Sequence, residues 1–149
     1  MIENENLQAL IPQSGKMLLL SKIIDYNLDE KSLAAEYQIT KDCLFFNNAA
    51  GGVPAWAAFE CVAQAYLALS GIRDSKKNVK PKAGFILSVS KMQIFIPVIK
   101  PGSTIVIKVK ALDSMDLIDN FEGKVFLEDT KVLEGKITVM ASSEGDLIE

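Results

Sequence analysis

From residue 51 the chain reads Gly-Gly-Val-Pro-Ala-Trp-Ala-Ala-Phe-Glu-Cys-Val-Ala-Gln-Ala-Tyr-Leu-Ala-Leu-Ser-Gly, apolar nearly all round and interrupted chiefly by Glu60 and Gln64. Its Ala and Leu content and the lack of an interior Gly or Pro predict one helix. Pro54 suits the first helical turn, and Gly71 suits the left-handed position just past the end. A helix with no polar face is expected to be buried, and a carboxylate in its middle must then be paired, protonated or used. The segment is somewhat short for a bilayer and carries Glu60 and Gln64 near its centre, so it reads as a core helix with no membrane span.

The flanking segments change period from helix to strand. Leu33, Ala35, Tyr37 and Ile39 alternate with Ser32, Ala34, Glu36 and Gln38, the pattern of a half-buried strand. Met17 to Tyr26 is an apolar run that Asn27 to Lys31 turns into a hairpin with it. After the helix, Ala83 to Ile96 predicts a long strand that Pro97 and Pro101-Gly102 end. Thr104 to Leu112 follows, with Ile107, Val109 and Ala111 on one face and Lys108 and Lys110 on the other. Two more strands, about Asn120 to Glu128 and Lys131 to Met140, are parted by Asp129-Thr130; in the second, Leu133, Ile137 and Val139 alternate with Glu134, Lys136 and Thr138.

Two strands, a long helix and four strands in that order indicate an α+β fold. One helix cannot cover both faces of a flat sheet, but a curved antiparallel sheet can wrap one helix on most sides, which accounts for the missing polar face. No repeat or linker divides residues 1–149, so one domain is expected, with a frayed tail over about 142–149.

Composition narrows the chemistry. With 149 residues, 49% hydrophobic and 23% charged, the chain has material for a real core. The acidic, polar start Met1-Ile2-Glu3-Asn4-Glu5-Asn6 is unlike a secretory signal, and a cytoplasmic location is expected. There is no histidine, and the two cysteines, Cys43 and Cys61, suggest small buried apolar residues rather than a disulfide framework or a metal site. No cofactor is called for. A net charge of −3 argues against nucleic acid as a partner, and Lys76, Lys77, Lys80 and Lys82 form the one basic patch, either a solvated loop or a contact for an acidic carrier protein.

Three segments carry a resemblance: Leu10-Ile11-Pro12-Gln13-Ser14-Gly15-Lys16-Met17-Leu18-Leu19-Leu20, the Gly-Gly-Val-Pro-Ala-Trp helix start with Glu60 and Gln64, and Pro97-Val98-Ile99-Lys100-Pro101-Gly102-Ser103. In this order around a strand-wrapped helix they resemble the hotdog-fold 3-hydroxyacyl-[acyl-carrier-protein] dehydratases, more narrowly the aryl-polyene-type branch. The resemblance spans about Leu10 to Met140. It implies a curved antiparallel sheet around one long central helix, and a 3-hydroxyacyl thioester of acyl carrier protein or coenzyme A as substrate, in fatty-acid or polyene-type synthesis. It also implies a homodimer or a dimer of dimers.

Dehydration needs a base for the α-proton, an acid for the departing hydroxyl and polarisation of the thioester carbonyl. Glu60 matches the acid that the family carries on the central helix, and Gln64 matches the Gln one turn later. Gly51 and Gly52 precede the helix N-terminus, where backbone N–H groups can receive a carbonyl oxygen, while Pro54 and Trp56 at the helix start are further substrate-binding candidates. As a bare sequence reading, Trp56, Phe59 and Tyr66 are core residues. The histidine of the family's Leu-Pro-His segment is replaced by Gln13, whose amide hydrogen-bonds but does not take up a proton. Three readings follow: a dehydratase (a lyase) using Glu60 with Gln64 and Gln13, an acyl-thioesterase in which Glu60 activates water, or a non-catalytic acyl-binding subunit paired with a His-bearing hotdog relative.

Overall fold

The computed structural model describes residues 2–7, 9–11, 15–77, 83–115 and 117–142. Strands β1 (Ile2–Glu3), β2 (Lys22–Asn27) and β3 (Ser32–Gln38) precede the long helix, with a short helix α1 (Asn4–Leu7) after β1. Then come β4 (Val53–Pro54), a 3-10 turn over Ala55–Ala57 and α2 (Ala58–Lys76). The chain closes with β5 (Ala83–Ile94), β6 (Val98–Ile99), β7 (Thr104–Met115), β8 (Ile118–Leu127) and β9 (Thr130–Ser142). One antiparallel sheet of seven strands runs in the order β1-β2-β3-β7-β8-β9-β5, and β4 with β6 makes a separate two-stranded pair.

This is the hotdog arrangement, α+β, with α2 lying against β3, β7 and β8. The predicted alternation decides which side of each strand meets the helix. Leu33, Ala35 and Tyr37 of β3 and Ile105, Ile107 and Val109 of β7 are buried, while Lys108 and Lys110 stay exposed. Their register is unbroken from Ser32↔Lys110 to Gln38↔Thr104, so the two apolar faces coincide. Phe121 of β8 is fully buried and stacks on Tyr66 of α2, ring centroids 4.0 Å apart and planes 4° from parallel.

Several expectations need correction. The first hairpin strand starts at Lys22, not Met17, because Gly15–Met17 forms a 3-10 turn and Leu18–Leu20 enters the core as irregular backbone. Pro54 is extended (φ −59°, ψ 141°) and pairs with Val98, so it caps the helical segment from outside. Gly71 does not end α2, which runs on to Lys76. Its lack of a side chain serves packing, since a Cβ there would collide with the carbonyl of Leu10. Lys76 therefore lies in the last helical turn with Lys77 exposed just beyond, and Lys80 and Lys82 lie outside the described residues. Cys61 is buried as expected, but Cys43 is half-buried in the loop before the helix.

Helix α2, with its preceding turn, is long and apolar enough to cross a bilayer. Most of it is instead buried inside this fold, which explains its composition without a membrane.

Candidate functional site

The site grows from a packing problem at the N-terminal side of α2. Leu18, Leu19 and Leu20 are buried, and driving three leucines inward brings a non-strand backbone against the helix, where its polar groups need partners. Gln64, fully buried on α2, supplies them. Its Oε1 accepts the Leu19 N–H at 2.9 Å, and its Nε2 donates to the Met17 carbonyl at 2.7 Å. The same Nε2 donates to Glu60 Oε1 at 3.4 Å, a longer and weaker contact. Glu60 and Gln64 thus share a helix face, as their spacing predicts.

Glu60 itself is half-buried rather than enclosed. The less covered positions of this segment are Trp56, Phe59, Glu60, Leu67 and Ser70. Steps of three, four and seven residues put them in one stripe along the helix. The neighbouring edge of the sheet is also bare. Among the described residues, strand β5 touches α2 and pairs with β9 alone, and Ile86, Leu87, Val89, Met92 and Ile94 along it are exposed. Glu60 therefore lies on the less covered stripe of a helix that the edge strand β5 touches.

Trp56 is not a core residue. It is 56% exposed and packs edge-on against Phe45, with ring centroids 5.5 Å apart. Phe59 is half-buried, while Tyr66 is the core residue expected. Gly51 and Gly52 form a turn with Asn47, whose carbonyl accepts both of their N–H groups, at 2.9 and 3.3 Å. Those donors are engaged within the turn and do not face outward as free carbonyl-binding groups. Gly52 is required for another reason, because a Cβ there would strike the Ile99 carbonyl of β6. Pro54 is half-buried in the β4–β6 pair, and the Ala55 N–H that follows donates to the Pro97 carbonyl at 2.8 Å. Gln13 lies outside the described residues. Among the described residues, no three Cys, Asp or Glu converge as a metal set.

Two groups near Glu60 are held neutral by burial. The Cys61 thiol is pushed far up from its ordinary value by desolvation, with the Glu60 charge adding to the effect. Burial raises Tyr37 as well, aided by a hydrogen bond with Cys43. Neither is poised as a nucleophile or base at neutral pH. Farther along α2, a cavity of about 110 Å³ is lined by Leu28, Tyr66, Leu69, Arg73, Leu112 and Asp119. There the Tyr66 hydroxyl donates to Asp119 Oδ2 at 2.7 Å. Sequence spacing gives no sign of this pair, whose members are 53 positions apart.

The model of the ApeP-like family, described as ApeP dehydratase, matches residues 5–148. The chain is 30% identical over 127 residues to the 3-hydroxyacyl-[acyl-carrier-protein] dehydratase FabZ of Chlamydia trachomatis (serovar L2), covering 83% of this chain and 79% of that enzyme. It is 27% identical over 138 residues to the bifunctional enzyme LpxC/FabZ of Chlorobaculum tepidum, covering 90% of this chain but only 29% of that longer protein. Among solved structures, a chain of the dehydratase heterocomplex ApeI:P from Xenorhabdus doucetiae superposes with a TM-score of 0.86 at 23% identity, over 95% of this chain and 94% of that one.

Proposed function

The chain belongs to the ApeP-like dehydratase family, and on that premise we propose that it is one half of a 3-hydroxyacyl-thioester dehydratase whose base comes from a His-bearing hotdog partner. The observation that carries this reading is the position of Glu60. It is a half-buried carboxylate that accepts a hydrogen bond from Gln64 on the less covered stripe of a helix touched by the edge strand β5, in a chain with no histidine.

Elimination of water breaks the Cα–H and Cβ–O bonds, forms the α,β double bond and builds negative charge on the thioester oxygen. In this reading Glu60 delivers the proton to the leaving hydroxyl and the partner's imidazole takes the α-proton. Trp56, Pro54 and the Gly51-Gly52 turn border the substrate, and Gln13 hydrogen-bonds without moving a proton. The substrate is an acyl chain on acyl carrier protein or coenzyme A, handled in the cytoplasm. The partner joins along β5 and covers the helix stripe, which also removes the exposed edge of the sheet. The heterocomplex named for the Xenorhabdus doucetiae structure is consistent with such pairing.

The test incubates 3-hydroxyacyl and saturated acyl thioesters with the chain alone and with a His-bearing hotdog protein from the same genome. Enoyl product only in the mixture is expected. Free thiol from the saturated substrate would instead indicate a thioesterase. Glu60→Gln is expected to lower enoyl formation by about 10²–10⁴-fold, and unchanged turnover would remove Glu60 from the mechanism.

A further inference from the structure

We infer that Gln64 is a positioning residue that ties the irregular segment Met17–Leu19 to the central helix and through that tie fixes the donor presented to Glu60. The inference concerns the site proposed above and takes Glu60 as its reactive group. Its geometry has one solution. The Leu19 N–H can only donate, so the amide oxygen must face it; the Met17 carbonyl can only accept, so the amide nitrogen must face that. The orientation of the amide is thereby set by two backbone groups 45 and 47 positions away, and the second N–H is left directed at Glu60. With both ends engaged and the side chain fully buried, Gln64 has no freedom to bind and activate water. It works by holding two backbone groups and one carboxylate in a fixed relation, as a rigid site requires.

Substitutions separate this tie from mere filling of space. Gln64→Met keeps the volume and removes every hydrogen bond. Gln64→Glu keeps the shape, and its protonated form can accept from Leu19 and donate to Met17, whereas its ionised form can only accept. The groups around the position are Glu60 and Cys61 on α2, with Lys16, Tyr37, Asp42 and Cys43 bordering the groove beside Leu18 and Leu19. Burial keeps Cys61 and Tyr37 protonated.

Amide hydrogen exchange, expressed as protection factors from pH 5 to 8, reads the tie directly in the full chain. Gln64→Met is expected to cost Leu19 about tenfold protection or more while amides of the helix core at Ala65–Leu69 keep theirs. Gln64→Glu is expected to keep Leu19 protected across the range, because either form of the carboxyl accepts its N–H, while the Met17 carbonyl loses its donor as the new carboxyl ionises, read from the 13C shift of that carbonyl. In the partnered assembly both variants should lower kcat more than they change KM. Leu19 protection that is unchanged in Gln64→Met, or a Met17 carbonyl shift independent of pH in Gln64→Glu, would overturn the inference. A wild-type chain with protected Leu19 but no turnover would instead count against the dehydratase reading and leave the tie intact.

Discussion

Strands β7 and β5 are both rich in apolar residues and meet opposite fates. Ile105, Ile107 and Val109 of β7 are each at most 2% exposed, whereas Val89, Met92 and Ile94 of β5 are 36–46% exposed. Both strands are apolar enough to be buried. The difference lies in what covers them: β7 lies between two strands and against α2, while β5 is the edge strand and touches the helix less. Apolar sequence therefore records where a surface should be buried, and the fold shows whether this chain alone can bury it. On β7 it can. On β5, and on the helix stripe that holds Glu60, it leaves apolar surface exposed.

The largest expected effect comes from breaking the covered side. Phe121→Ala removes a fully buried ring stacked on Tyr66 and should cost about 3–5 kcal/mol, read from denaturant unfolding followed by far-UV circular dichroism. A loss below about 1 kcal/mol would mean that the helix is not held by this wall. The bare side should respond in assembly rather than in folding. Val89→Lys places a charge on the β5 edge, as natural edges do to block pairing, so it should convert associated protein to monomer in sedimentation while the circular dichroism spectrum is kept. If the variant sediments like the wild type, the partner does not join along β5.

The smallest effect compares neighbours on the helix, Cys61 on its covered side and Glu60 on its open one. The folded thiol is held protonated well above its ordinary value, whereas an unfolded thiol ionises near pH 8.5. Stability from this group is therefore complete below about pH 8.5 and is lost as pH rises above it, at up to about 1.4 kcal/mol per pH unit. Unfolding measured from pH 8 to 10 should show a shallower decline for Cys61→Ala than for the wild type. Equal slopes would mean that the thiol is solvated in the fold.

Much of the architecture is legible in the chain because it depends on local period. The alternation at Leu33–Ile39 and Ile105–Val109, the apolar run of the helix and the four-residue spacing of Glu60 and Gln64 are all local signals, and each has its counterpart in the fold. Where the fold departs from the expected pattern, contacts that residue type does not specify decide the outcome. Gly71 has the residue type of a helix end, yet the helix passes through it because Leu10 packs there. Gly51 and Gly52 have the residue types of an open helix start, yet Asn47 takes their N–H groups. Trp56 suits a core, yet its ring packs edge-on against Phe45 and stays 56% exposed.

The order of strands and helix, the buried character of α2 and the pairing of one acid with one amide were determined by sequence alone, since hydrophobic period and helical spacing act over a few residues. Tertiary structure decided the rest: that Gln64 bonds to backbone far upstream, that Glu60 opens onto an uncovered face, and that β5 is left bare. Those are relations between segments remote in the chain, and only the folded backbone brings their hydrogen-bonding groups and apolar surfaces within contact range.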